Sequence, residues 1–182
     1  MTRTIVKGGS HLLIGYAAVY AAHRFVLPLA ASPVDWLFVL GAASIGALLP
    51  DVDSDESAIR QATHTARSNG CLGRLSSLCI SAITGGHRNF THSLAAWAIF
   101  TVLALMGAIQ FRGLSVAAAL SIGYLAHLLA DALTIHGVPL LWPLNFDVHL
   151  LPRPLRIRTG SFAEYAVIVA LGVGMMRLWM NA

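Results

Sequence analysis

Apolar residues gather into five long runs separated by polar or proline-rich segments: about Ser10 to Leu29, Val34 to Leu49, His92 to Phe111, Leu114 to Leu133, and Phe162 to Met180. A helix that crosses a bilayer needs about 20 predominantly apolar residues at 1.5 Å rise each. Each run is therefore read as a transmembrane helix, the second a short one opened by Pro33 and ended by Pro50. The turn between the first two carries Pro33, and Arg112-Gly113 links the third and fourth; such short turns make antiparallel neighbours. Two segments do not span. Asp51 to Thr91 is polar, with a modestly apolar stretch from Cys71 to Ile83 that suits the membrane interface. Ile135 to Ser161 carries Pro139, Trp142, Pro143, Pro152 and Pro154 and is expected to be irregular. There is no internal repeat and no low-complexity tract. The pattern predicts an all-α fold, a polytopic membrane helical bundle of about five transmembrane helices, with residues 1–182 forming a single domain.

Composition strengthens that reading. Hydrophobic residues make up 57% of the 182 positions and charged residues only 11%, against about 25% charged in a soluble domain. The net charge of +4 points to membrane orientation, and no nucleic-acid partner is expected. With the N-terminus cytoplasmic, Arg3, Lys7, Arg60, Arg67, Arg74, Arg88, Arg153, Arg156 and Arg158 fall on the cytoplasmic side, and only Arg24, Arg112 and Arg177 on the other. Positive-inside bias thus favours N-terminus in and C-terminus out, with lipid as the surrounding partner. Arg3 and Lys7 with Ala30-Ala31 imitate a signal peptide, but His23-Arg24 interrupts the run and its length suits a span, so retention is expected. Cys71 and Cys79 lack metal-type spacing and are read as reduced and incidental.

On this topology the ionisable residues converge. His11 lies at the cytoplasmic start of the first helix, and Asp51 and Asp53 follow the end of the second. His87 and His92 precede and open the third, where Asn89 or Thr91 is expected to cap, and His127 and Asp131 lie near the end of the fourth. Ionisable groups in a membrane helix normally face a cavity and find partners. His127 and Asp131 share one helix face at i, i+4, a spacing that suits two ligands of one ion. Mixed imidazole and carboxylate ligands favour Zn²⁺, Mn²⁺ or Fe²⁺ over Ca²⁺ or Mg²⁺. Seven candidates exceed the needs of one tetrahedral ion and would serve two ions sharing a bridging carboxylate, an arrangement that hydrolyses phosphoesters. His23 and His149 are read as packed or hydrogen-bonded, His64 as solvated, and Asp55 with Glu56 as a solvated acidic turn.

The strings Ser10-His11-Leu12-Leu13, Leu48-Leu49-Pro50-Asp51-Val52-Asp53, His87-Arg88-Asn89-Phe90-Thr91-His92-Ser93-Leu94 and Gly123-Tyr124-Leu125-Ala126-His127-Leu128-Leu129-Ala130-Asp131 resemble the YdjM family of bacterial inner-membrane, metal-dependent hydrolases. The resemblance continues through Thr134 to Gly137-Val138-Pro139-Leu140-Leu141-Trp142-Pro143, with a weaker match at Leu155-Arg156, Gly160 and Glu164. Ser54 departs from it, standing where family members often carry His. The resemblance implies a bound divalent metal, one or two ions with Zn or Mn favoured, and hydrolase activity. A fainter similarity in ligand types, including a His-x-x-x-Asp helix pair, is to zinc-dependent phospholipase C. The expectation is a membrane-bound hydrolase that cleaves a phosphoester, of a lipid or of a soluble molecule, at the cytoplasmic face. Arg88 would neutralise phosphate charge, Arg156 or Arg158 would hold a headgroup, and Glu164 would act as general acid or orient a ligand. The alternatives are a metal or proton transporter and a non-catalytic, metal-stabilised membrane protein.

Overall fold

A computed structural model describes residues 3–53, 90–111, 113–144 and 146–180, leaving the side chains of 3–8, 52, 53 and 111 outside the description. The fold is all-α, with five helices among the described residues: α1 Arg3–Phe25, α2 Pro33–Leu48, α3 Leu94–Phe111, α4 Leu114–Ala132 and α5 Phe162–Met180. Tight 3₁₀ turns at Pro50–Asp53, Phe90–His92 and Arg153–Leu155 punctuate the connections.

The expected number of helices is present, but their lengths differ from five equivalent spans. Among the described residues, only α4 and α5 are long and apolar enough to cross a membrane, and Pro33–Leu48 and Leu94–Gln110 are shorter apolar helices. At 1.5 Å per residue, the 16 residues of α2 reach about 24 Å, short of a hydrocarbon core of about 30 Å. Helix α3 starts later than its apolar run because His92 belongs to the preceding 3₁₀ turn. Its start is capped by the Ser93 hydroxyl, which accepts from the Ala96 amide at 3.1 Å, and not by Thr91; Asn89 lies outside the described residues. Ser32 caps α2 through a capping box with Asp35. His23, read as hydrogen-bonded, accepts the Leu29 amide at 3.0 Å and meets Trp36 edge-on.

Helix α4 is the centre of the bundle and packs against α1, α2 and α3. Small residues make this possible. A methyl group on Gly46 would collide with the Leu120 carbonyl, and one on Gly123 with the Ala43 carbonyl, so α2 and α4 meet backbone to backbone. In lipid, helices gain little from the hydrophobic effect, and close dispersion contact of this kind carries association. The connection after α4 is irregular, as the prolines require, yet it is tied down. Ile135 donates to Ile157 at 3.0 Å, Ile157 to Leu133 at 3.0 Å and Leu150 to Ala132 at 2.8 Å, folding the segment over the end of α4. His149 supports the fold of this segment, its Nε2 lying 3.1 Å from the Ile135 carbonyl under Gly137, whose φ of +69° only glycine adopts readily.

Gly123→Val places two methyl groups against the Ala43 backbone and is expected to cost about 1–3 kcal/mol by overpacking. Thermal unfolding in detergent reads the loss, and an unchanged Tm would contradict the close contact.

Candidate metal centre

Helix ends and the turns beside them supply the candidate ligands. His11 comes from α1, two turns into the helix. Asp51 follows immediately after α2, because Pro50 ends that helix and opens the 3₁₀ turn Pro50–Asp53. His92 is the last residue of the turn Phe90–His92, and His127 and Asp131 sit one turn apart near the end of α4. The five side chains meet at one end of the bundle. Nitrogen and oxygen atoms of His11, Asp51 and His127, and of His92, His127 and Asp131, lie within 4.8 Å of one another, so the cluster could coordinate a divalent metal.

Four edges of the cluster are nearly equal. Nε2 of His92 is 3.6 Å from Asp51 Oδ1 and 3.8 Å from Asp131 Oδ2. Nε2 of His127 is 3.9 Å from Asp51 Oδ1 and 3.7 Å from Asp131 Oδ2. Asp131 turns its other oxygen to His11, with Oδ1 at 3.6 Å from Nε2. These separations exceed hydrogen-bonding distance. Two ligands about 2.1 Å from a tetrahedral ion stand roughly 3.4 Å apart, so the observed edges lie within a few tenths of an ångström of a coordinating set. The chemistry of the donors fits as well. Nδ1 of His11 and Nε2 of His92 are enclosed, with no hydrogen-bond partner among the described residues. Burying such polar atoms without a partner is costly, and an ion is the partner that carboxylates and imidazoles share.

Local contacts aim these groups. His127 Nδ1 donates to the Ala47 carbonyl at 2.6 Å, which leaves Nε2 as the lone-pair atom facing the carboxylates. The His11 ring stacks on His127 with centroids 4.0 Å apart. The Tyr124 hydroxyl donates to the Thr91 carbonyl, and Leu94 donates to Leu140 at 2.9 Å, so the turn bearing His92 is held from α4 and from the late connection. Burial pushes the Asp51 carboxyl up, but the imidazoles of His92, His127 and His11 outweigh it, and the net displacement is below the usual carboxylate range.

Glu164 is not among these five. It stands at the start of α5, accepting from Ser10 and from the Gly160 amide, while its own amide faces Ser161 Oγ at 3.5 Å. A small cavity of about 50 Å³ nevertheless joins it to the centre, with Ser10, His11, Asp131 and Glu164 on its polar wall. Of the other candidates, Asp53 has its backbone in the 3₁₀ turn and its side chain outside the description, and His87 and Arg88 lie outside the described residues. His136 is exposed and apart from the cluster. Arg156 is committed through Nε to the Leu151 carbonyl at 3.1 Å, and Arg158 is exposed. Spacing alone did not single out Ser10, Tyr124 or the Ala47 carbonyl, because their roles depend on neighbours far along the chain.

Purified protein is expected to carry about one divalent ion per chain, and His92→Ala to lose most of it while the protein still inserts. Elemental analysis of detergent-purified wild type and variant reads the difference. Equal metal content in both would remove His92 from the centre.

Comparison with known proteins places the chain in a family. The family described as YdjM inner membrane protein matches residues 6–181. The Escherichia coli inner membrane protein YdjM is 35% identical over 176 residues, covering 93% of this chain and 80% of that protein. The Bacillus subtilis protein YvsG is 30% identical over 166 residues, covering 91% of this chain and 89% of its own. No solved structure matches the chain significantly. With a match running from before His11 to beyond Glu164, this chain belongs to the YdjM family of inner membrane proteins.

Proposed function

We propose that the chain is a multi-pass inner-membrane hydrolase, one domain over residues 1–182, that cleaves a phosphoester at a metal centre on the cytoplasmic face. The observation that carries this reading is the set of nearly equal 3.6–3.9 Å edges joining Asp51, His92, His127 and Asp131. These four hold the ion, and His11 adds a fifth donor. Zn²⁺ or Mn²⁺ suits this mixture of imidazole and carboxylate. His127 has one lone-pair nitrogen to offer, since Nδ1 is given to Ala47. The five side chains therefore build one ion site, and a second ion would draw on Asp53 and His87. When bound, the metal supplies a water of lowered pKa and polarises a phosphoryl oxygen.

The remaining roles belong to the protein. Asp131 faces His11 with one oxygen and His92 and His127 with the other. Glu164, across the cavity from Asp131, receives the proton of the attacking water or delivers one to the leaving oxygen. Ser10 and the Gly160 amide hold its carboxylate in place for that task. Arg88, beside His87 in the sequence, neutralises charge on the phosphate. The basic residues assigned to the cytoplasmic side set the orientation, N-terminus in.

A second reading is a metal clip that joins helix ends without chemistry, favoured by the complete burial of His92 and His127. The cavity reaching His11 and Asp131 favours the catalytic reading, because a structural site is closed on all sides.

Metal-loaded protein is expected to hydrolyse an aryl phosphodiester, and Asp131→Asn or His127→Ala to abolish that turnover with membrane insertion intact. Full activity in either variant would overturn the assignment. Glu164→Gln is expected to lower kcat by about 10²–10⁴ with metal content unchanged, the size of a lost general acid–base group. A kcat within twofold of wild type, by about the measurement scatter, would leave Glu164 with the helix-start role alone.

A further inference from the structure

The cavity beside the metal centre has an apolar lining next to Glu164 and Asp131, built from Ile14, Leu133, Ile157, Val167 and Ile168. These residues come from α1, the segments following α4, and α5. Helix α5 makes its extensive contact with α1 and not with α4. None of its described residues is buried. Helix packing therefore leaves α5 lightly held beside the end of α4, with the cavity between them. Both of these helices are long and apolar enough to cross the bilayer, where acyl chains would border the crevice between them.

Resting on the hydrolase reading, we propose that this crevice takes the hydrocarbon tail of a phosphate-headed membrane amphiphile, with the phosphate at the His11–Asp131 end and the tail against Leu133, Val167 and Ile168. Size supports a small headgroup. The cavity, with about 50 Å³ for water-sized groups, admits a phosphate at its polar end, and the tail runs past its apolar lining. Charge sets the conditions of binding. The polar end presents two carboxylates, Asp131 and Glu164, so an anionic headgroup is held there only with the cation in place. Amphiphile binding is thus metal-dependent, which a merely greasy surface would not be. The tail enters sideways from the bilayer and leaves its headgroup beside the groups that act on it.

The test uses full-length protein in lipid nanodiscs with Zn²⁺ or Mn²⁺ and a dodecyl phosphate that carries a photoreactive diazirine in its chain. Crosslinks mapped by mass spectrometry are expected to concentrate at Leu133, Val167 and Ile168. Excess dodecyl phosphate is expected to suppress them by about tenfold or more, the effect of several methylenes losing a buried site. Inorganic phosphate at the same concentration is expected to leave them in place, and EDTA to remove them. Ile168→Trp, or Val167→Trp if the first fails to insert, fills the crevice and is expected to suppress labelling with metal content unchanged. Even labelling of exposed residues such as Val102 and Val169, indifferent to EDTA, would overturn the proposal. Equal competition by inorganic phosphate would also overturn it, marking a site for soluble phosphate esters. The hydrolase reading fails separately, by absence of turnover across phosphoesters of short and long chain while specific labelling persists.

Discussion

The hydrogen bond from His127 to the Ala47 carbonyl, 2.6 Å long, joins the packing of the bundle to the chemistry of its end. It exists because α2 and α4 touch through Gly46 and Gly123, where any side chain would meet the opposing main chain. That contact brings the last turn of α2 within reach of an imidazole on α4. The bond then selects the tautomer, and the tautomer leaves Nε2 directed at the carboxylates of Asp51 and Asp131. Helix spacing, ring orientation and ligand geometry are one constraint. Widening the α2–α4 interface would turn the ring as well as loosen the fold.

The second feature of the design is that helices end where ligands are needed. Pro50 stops α2 short and hands the chain to a 3₁₀ turn, so Asp51 faces inward and not along the helix axis. A 3₁₀ turn likewise precedes α3 and presents His92 before Ser93 starts the regular helix. The short length of α2 as a span is the counterpart of this arrangement. A longer α2 would carry Asp51 away from His92 and His127. The turn before α3 is held by hydrogen bonds involving Tyr124 and Leu140 and by Phe90 packed on the core.

An ion at this place would also contribute to stability. The cluster joins α1, α4, the end of α2 and the approach to α3, so coordination ties four separate parts of the chain at one point. Buried imidazoles and carboxylates are unfavourable there until something satisfies them together. Helix α5 stands apart from this knot, resting on α1 and contributing Glu164 at its first turn.

The helices were legible in the sequence because each lies within an apolar run, and the proline-rich connection was legible as irregular. Convergence of His11, Asp51, His92, His127 and Asp131 was expected from short turns and antiparallel neighbours, and the structure brings these five together at one end of the bundle. His127 and Asp131 were a pair by helical spacing. Helix length was less legible: hydropathy does not mark where a 3₁₀ turn replaces a helix, and the start of α3 was misplaced for that reason. Only the tertiary structure decided that the ligand atoms stand 3.6–3.9 Å apart, that Ala47 orients His127, and that Glu164 joins the centre through a cavity. Linear order carries the periodicity and the chemistry of each residue, whereas distances between side chains many residues apart depend on how closely the helices pack, and two glycines control that here.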